Sequence, residues 1–370
     1  MRLGFVILAL LVLFSFNGYV FLRGWQALPT TVLRPIYLST IVFLFLSMLV
    51  GMIFGSSMPA SLAKGISFVG NSYFVIFTYL LLSFLIVDVV RIANYFLEFS
   101  STGLLGFRLW AMVGTLGLTV IAMGIGNWNF NHPKIVTLNI TADKPLQHKE
   151  LKIVAASDIH LGISIDKKRL QSYVDMINDL HPDIVLLAGD VSDRSMIPVV
   201  NQKMNEELRQ IKAPLGVYAI NGNHEHYAET PNATAEYLKM SGIKVLRDEV
   251  SLVDSSFYVV GRDDRSNPKR KNLSELVKGL NAAKPLILLD HQPYHLEEAE
   301  QNGIDLQISG HTHNGQFFPG NLLVKHMYEL GYGYLKKGKT NFYVSSGLGL
   351  WGPQYRIGTQ SELVVINLIY

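Results

Sequence analysis

Four stretches, Leu3 to Leu22, Ile36 to Phe54, Ile66 to Val87 and Leu109 to Gly126, each run about 18 to 22 residues without a charged side chain. As helices rising about 1.5 Å per residue, each is long enough to cross a hydrocarbon core of roughly 30 Å. The pattern predicts about four transmembrane helices over residues 1–126. The first stretch reads as a retained span and not as a secretory leader, because no small-x-small cleavage site closes it and three similar stretches follow. Asp88 and Arg108 fall at segment ends, where capping and snorkelling account for them. No span carries a charge at its middle, so the region reads as an anchor and not as a transport pathway.

After Gly126 the pattern changes. Residues 127–150 are polar, with Pro133 and Pro145, and read as a linker. From 151 to 370 short apolar runs alternate with amphipathic stretches. Lys152–Ala156, Ile184–Ala188, Val217–Ile220, Tyr258–Val260, Leu286–Leu289 and Leu306–Ile308 have the length and β-branching of buried strands. Leu170, Val174, Ile177 and Leu180 recur at helical spacing between the first two runs, as a crossover between parallel strands requires. The domain is predicted to be α/β.

Composition adds exclusions. The 370 residues are 49% apolar and 16% charged, a balance tilted toward lipid. A net charge of +3 gives no support for a nucleic-acid partner, which demands a concentrated basic face. There is no cysteine, so a bound metal would be held by imidazole, carboxylate or amide oxygen.

Such groups gather where the predicted strands end: Asp158-Ile159-His160, Gly189-Asp190-Val191-Ser192-Asp193, Gly222-Asn223-His224-Glu225, Asp290-His291 and Gly310-His311-Thr312-His313. In open α/β sheets the loops at the carboxyl ends of strands converge on one crevice. Imidazoles, carboxylates and an amide oxygen suit manganese, zinc or iron, and a pair of such ions clamps the attacking and leaving oxygens of a phosphoryl transfer.

In this order the motifs DxH, GDxxD, GNHE, a lone His and GHxH resemble the calcineurin-like metallophosphoesterase superfamily, over about Leu151 to Tyr370. The resemblance implies a two-sheet β-sandwich flanked by helices. By matching position it implies that Asp158, His160 and His313 hold one divalent ion, that Asn223, His291 and His311 hold a second, and that Asp190 bridges the two. A hydroxide shared by the ions would attack phosphorus in line, and His224 would contact the phosphate and protonate the leaving oxygen. Asp193 is read as orienting a ligand or fixing its turn, and Asp290 as supporting the His291 loop. His132, His148, His181, His226, His295 and His326 match no motif position and are read as surface or packing histidines. Gly261-Arg262-Asp263-Asp264-Arg265 is open between a place at the crevice rim and a charged turn.

Two further stretches narrow the resemblance to a membrane-associated branch that includes bacterial phosphodiesterases of the YaeI and YkuE type. Gly310-His311-Thr312-His313-Asn314-Gly315-Gln316 is similar to that branch's GHTHGGQ, and Val344-Ser345-Ser346-Gly347-Leu348-Gly349 with Arg356 is similar to its VSxGLG and R. Asn314 replaces a glycine, and Ser361-Glu362 stands where Pro-Glu is common. The branch implies a lipid-linked phosphodiester or pyrophosphate as substrate. After His313, aromatic and aliphatic residues from Phe317 to Leu335 interleave with lysines. Such a segment suits a lip in a headgroup layer or, equally, a connection to the final strands. A metal-binding scaffold without turnover, a nuclease and a phosphomonoesterase of soluble substrates are the alternatives; Lys269-Arg270-Lys271 is the one concentrated basic stretch. Arg23, Arg34, Arg91 and Arg108 flank one side of the membrane, which by the positive-inside rule is cytoplasmic and puts the catalytic domain outside.

Overall fold

A computed structural model describes residues 2–29, 31–99, 105–145, 149–228 and 232–369. His148 and Tyr370 lie outside them. The chain divides into two compact units, Met1–Ile125 and Gly126–Tyr370.

The first unit is helical: α1 (Arg2–Ala27), α2 (Leu33–Phe54), α3 (Ala60–Leu97) and α4 (Leu105–Asn131), the unit boundary falling within α4. Three helical stretches, Leu33–Phe54, Ser61–Leu97 and Gly106–Asn131, are long and apolar enough to cross a membrane among the described residues. The fourth expected span lies on α1, where the side chains of Leu3, Phe5, Val6 and Ala9 are outside the described residues. The bundle closes around Tyr73, which meets Phe45 edge-on at 6.1 Å and packs with Val20, Leu80 and Phe84. Its hydroxyl donates to buried Asn17, and Asn17 donates to the Leu13 carbonyl at 2.8 Å. A polar pair among apolar helices is thus satisfied internally.

The second unit holds two six-stranded mixed sheets. One contains β1 (Lys134–Thr141), β2 (Glu150–Ala156), β3 (Ile184–Leu187), β4 (Val217–Ala219), β5 (Lys244–Val245) and β12 (Glu362–Ile369), in the order β1-β12-β2-β3-β4-β5. The other contains β6 (Glu249–Val253), β7 (Phe257–Gly261), β8 (Leu286–Leu289), β9 (Leu306–Ser309), β10 (Gly333–Lys337) and β11 (Thr340–Val344), in the order β10-β11-β9-β8-β7-β6. β2 to β5 run parallel, as do β7, β8, β9 and β11.

Strand alternation builds three layers of core. Ile153 and Ala155 of β2 face inward with Ile184, Leu186, Ile287, Leu289 and Ile308, joining the two sheets in one apolar core. Val154 and Ala156 point the other way, against Leu170, Val174 and Ile177 of α5 (Lys167–Asp179). Val260, Leu286 and Leu288 cover the outer face of the second sheet with Leu273, Leu296 and Ala299. The N-terminus of α5 is capped by Asp166, whose carboxylate accepts from the Arg169 amide at 3.0 Å.

Residues 127–150, read as a linker, instead carry the end of α4 and the whole of β1. Phe130 belongs to the core under β2, and Asn127 and Asn129 donate to the carbonyls of Gln354 and Arg356, both at 3.1 Å. β1 pairs in parallel with β12 from Lys134↔Glu362 to Thr141↔Ile369. Its alternating half-exposed pattern at the sheet edge resembles a polar loop in sequence.

Candidate metal centre

β2, β3 and β4 are parallel in one sheet, β8 and β9 in the other, and the residues after their carboxyl ends meet. Asp158 and His160 follow β2, Asp190 follows β3, and Asn223 and His224 open the short helix Asn223–Tyr227 after β4. His291 follows β8, and His311 and His313 follow β9. Five of these residues sit in the left-handed backbone region: Asp158 at φ 53°, His160 at 54°, Asp190 at 51°, His311 at 72° and His313 at 49°. Each such non-glycine residue costs about 1 kcal/mol or more, and strain of this kind concentrates where side chains are aimed for function.

The glycines beside them make room in two ways. Gly189 has φ +87°, and a Cβ there would lie 2.6 Å from His291 Nδ1. Gly222 has ordinary backbone, but a Cβ would come within 2.2 Å of Asp190 Oδ1. The requirement at Gly222 is close approach and not a turn.

Asp158, His160 and His313 form one group whose ligand atoms lie within 4.8 Å of one another; Asp158, Asp190 and His291 form a second, and His160, Asp190 and His224 a third. His160 Nε2 and His313 Nε2 are 3.2 Å apart, and His313 Nε2 is 3.5 Å from Asp158 Oδ1. Asp190 Oδ2 is 3.7 Å from His160 Nε2 and 3.2 Å from His291 Nε2, so one carboxylate reaches both sides of the cluster. Asn223 Oδ1 and His311 Nδ1 are 2.8 Å apart, and the His311 and His291 ring centroids 5.4 Å. All seven predicted ligands and His224 therefore come to one place.

The donors suit cations. His291 Nδ1 meets the Ala188 carbonyl at 2.8 Å, and its Nε2, fully buried, faces Asp190 Oδ2 at 3.2 Å without hydrogen-bond geometry. An imidazole hydrogen-bonded through one nitrogen alone is the usual state of a metal ligand. Burial pushes the His291 imidazole down, but the charges of Asp190 and Asp158 outweigh it and lift it well above the ordinary value. Burial likewise raises Asp158, yet His313 and His291 hold it below the ordinary carboxylate value. Burial sends His313 down to about 3, with His160 and Arg356 acting in the same sense. The two carboxylates thus draw positive charge into a crevice whose imidazoles present lone pairs, and divalent ions supply that charge without a proton.

Around the donors lies a supporting shell. His224 Nδ1 is 2.9 Å from Asp193 Oδ1, so Asp193 orients the histidine next to a ligand. Burial lowers the His224 imidazole, but the Asp193 hydrogen bond and the charge of Asp190 raise it above the ordinary value. Glu225, given no role by the sequence, accepts from the amides of Gly222, Ser192 and Asp190 at 2.7, 2.9 and 3.1 Å, tying two ligand loops together. Burial and the charge of Asp190 push its carboxyl up to about 7. Arg356, fully buried, donates to the carbonyls of His313, Gly347 and Gly349, fixing the C-terminal loop on the ligand loop. Asp290 accepts from both Arg262 and Arg270, holding the turn that presents His291.

Of the segment Gly261 to Arg265, Arg262, Asp263 and Asp264 are buried, and only Arg265 is exposed, at a turn. Asp263 bonds Arg247, His226 and Asn267, so His226 is a partner in a polar network. After His313 the chain forms the helix Gly320–Met327 and then β10. Leu322, Leu323 and Met327 are exposed, whereas Tyr328 meets Tyr294 at 3.0 Å and Tyr332 bonds Lys134 and Glu362. The first half of the segment is thus an open apolar surface and the second half a packed connection.

The family profile described as calcineurin-like phosphoesterase matches residues 151–315. An uncharacterized metallophosphoesterase of Aquifex aeolicus is 31% identical over 244 residues, covering 64% of this chain and 91% of that one. The chain belongs to the calcineurin-like metallophosphoesterases. Its calcineurin-like phosphoesterase domain carries a buried His/Asp cluster able to hold metal. Other relatives of this metallophosphoesterase are the uncharacterized metallophosphoesterase YkuE of Bacillus subtilis, 31% identical over 229 residues (59% of this chain, 78% of that one), and a transmembrane protein with metallophosphoesterase domain of Danio rerio, 33% identical over 252 residues (64% of this chain). The chain spans 57% of the length of the Danio rerio protein. With three helices long and apolar enough to span, the chain has the make-up of a membrane protein.

Proposed function

We propose that this metallophosphoesterase is anchored in the membrane by four spans and hydrolyses a phosphodiester or pyrophosphate bond of a lipid-linked substrate with two divalent ions, manganese, zinc or iron. The observation that supports two ions is Asp190, whose single carboxylate lies between His160 on one side and His291 on the other. Asp158, His160 and His313 would hold one ion, Asn223, His291 and His311 the other, with Asp190 shared. Bound there, the ions supply Lewis-acid polarisation of the phosphoryl group and a water acidified toward neutral pH.

The chain's own residues do the rest. His224 stands 4.5 Å, ring to ring, from His160, and its raised basicity keeps a proton for the leaving oxygen. Asp193 accepts from Nδ1, which orients the ring and stabilises the imidazolium whose second proton, on Nε2, is the one given up. Trp351, exposed and 6.1 Å from His224, offers an apolar wall beside the departing group.

The lipid-linked substrate rests on the open apolar face of the helix Gly320–Met327, which starts seven residues after His313. Lys325 on the same helix adds a cation for a headgroup. The four flanking arginines support a cytoplasmic side for the loops that carry them, with the N-terminus and the catalytic unit outside. The test compares hydrolysis of a lipid-linked pyrophosphate in vesicles with that of its deacylated form, in wild type and in Leu322→Ser/Leu323→Ser. The reading expects the lipid form to be preferred and the double variant to lose only that preference. Equal efficiency on both forms would leave a phosphoesterase of soluble substrates. A C-terminal reporter active only in the cytoplasm would reverse the orientation.

A further inference from the structure

At the arginine-rich end of the membrane unit lies a cavity that phosphoester chemistry does not use. Its volume is about 550 Å3, and its lining includes Arg23 of α1 and Asp88, Arg91, Ile92, Tyr95 and Phe96 of α3. Asp88 is its centre. One carboxylate oxygen pairs with Arg23 at 2.6 Å and accepts from the Tyr19 hydroxyl at 2.8 Å, and the other pairs with Arg91 at 3.0 Å. Arg108, in the first turn of α4, is within electrostatic range of Arg23, Arg91 and Asp88.

Two guanidiniums thus pair with one carboxylate whose two oxygens are already engaged, and a third lies within electrostatic range. Arg23 Nε and Arg108 Nε are buried and lack any hydrogen-bond partner. An excess of cations at the end of an apolar bundle calls for an anion, and the planar guanidinium fork fits the oxygens of phosphate. The opposite wall is apolar: Ile92, Tyr95 and Phe96 are exposed, Tyr95 at 78%. Exposed aromatic residues beside arginines are the composition of a headgroup layer. α3 has 38 residues, about 57 Å of helix, so one end or the other must leave a core of roughly 30 Å. A cavity with a cationic floor and an aromatic-aliphatic wall therefore matches a molecule with a phosphate at one end and hydrocarbon at the other.

We propose that this cavity binds the phosphate of an anionic phospholipid headgroup, with Arg23 and Arg91 against the phosphate, Arg108 adding charge from nearby, and the acyl chain against Ile92, Tyr95 and Phe96. The site lies wholly within residues 1–125 and does not depend on the substrate of the catalytic unit.

The test uses the full chain in phosphatidylcholine nanodiscs that contain phosphatidylglycerol with a photoreactive acyl chain. Crosslinks should map to the peptide around Ile92 and Phe96 and be suppressed by unlabelled phosphatidylglycerol but not by added phosphatidylcholine. Arg23→Gln and Arg91→Gln should each lower the labelling about fivefold, the equivalent of one arginine near an anionic surface. Arg91→Lys, which keeps the charge and loses the fork, should fall between. Labelling indifferent to headgroup charge overturns the proposal, as does wild-type labelling in both glutamine variants. Millimolar inorganic phosphate that displaces the lipid as well as phosphatidylglycerol does would make this a free-phosphate site and overturn the lipid assignment. The competition arms use the wild-type chain alone, so a variant that misfolds does not leave the question open.

Discussion

The two units distribute polarity in opposite senses. In the membrane unit large apolar side chains such as Phe43, Ile86 and Trp110 are exposed, while among the described residues few polar side chains are buried, Asn17, paired with Tyr73, being one. In the catalytic unit the apolar residues fill three layers, and several fully buried side chains around the site are charged, Asp158, Arg356 and Glu362 among them. Each of these three has partners: the His311 amide for Asp158, three carbonyls for Arg356, and Tyr343, Tyr332 and the Ser346 amide for Glu362. A buried charge tolerates low dielectric only when hydrogen bonds replace water, whereas a lipid-facing helix needs only that its backbone satisfy itself. One unit therefore depends on specific contacts residue by residue, and the other on an average property of its surface.

The comparison predicts that damage follows the same division. Asp190→Ala should have the largest effect, loss of cations from both positions and a fall in turnover of about a thousandfold or more. His224→Ala should keep its cations and lose about a hundred- to ten-thousandfold; elemental analysis beside a turnover assay separates the two. Next, Phe43→Lys on the exposed face of α2 should oppose insertion by about 3 to 4 kcal/mol. Met240→Lys on the surface of the catalytic unit should change stability by less than about 0.5 kcal/mol. Equal tolerance of both in a membrane-fractionation and melting comparison would break the contrast. Ile287→Val, between the sheets, should cost about 0.5 to 1.5 kcal/mol in denaturant melts.

The smallest effect concerns pH. The hydrogen bond to Asp263 raises His226 above the ordinary histidine value despite partial burial. Burial pushes Asp263 up, but His226 and Asn267 outweigh it and hold it below the ordinary carboxylate value. The raised histidine contributes stability that is complete below about pH 6.5 and lost as pH rises through its folded value. The depressed carboxylate contributes above about pH 4 and fades as pH falls further. With His226 partly solvated the pair is worth less than about 1 kcal/mol. His226→Gln should flatten the decline of stability above pH 6.5; an unchanged slope would remove the pair from the account.

Six of the twelve strands are legible as short apolar runs, because β2, β3, β4, β7, β8 and β9 are buried on one or both faces. β1 and β10 are not, since exposed edge strands with lysines read as loops. β12 carries a similar apolar run, but nothing local says that it lies between β1 and β2. The candidate ligands stand out in the sequence because each lies at a strand end that packing would fill differently. The role of Glu225 does not, because its partners are backbone amides of Gly222, Ser192 and Asp190, and amides leave no mark in a sequence. The Arg262-Asp263-Asp264 run misleads for the opposite reason: charges that look solvated are neutralised by residues far along the chain.

The place of β12 bears on how the chain is made. β1 and β2 are nearly adjacent in sequence, yet the strand that joins them, Glu362–Ile369, is synthesised more than 200 residues later. Until it emerges from the ribosome, both neighbours stand as open edges with unpaired amides and carbonyls, the state most prone to pairing with the wrong strand. Glu362 arrives with it, and only then can the Ser346 amide and the Tyr343 hydroxyl find their acceptor. The helices of residues 1–125 leave the ribosome long before this step, so the catalytic unit completes its first sheet on a chain whose membrane region has already been made.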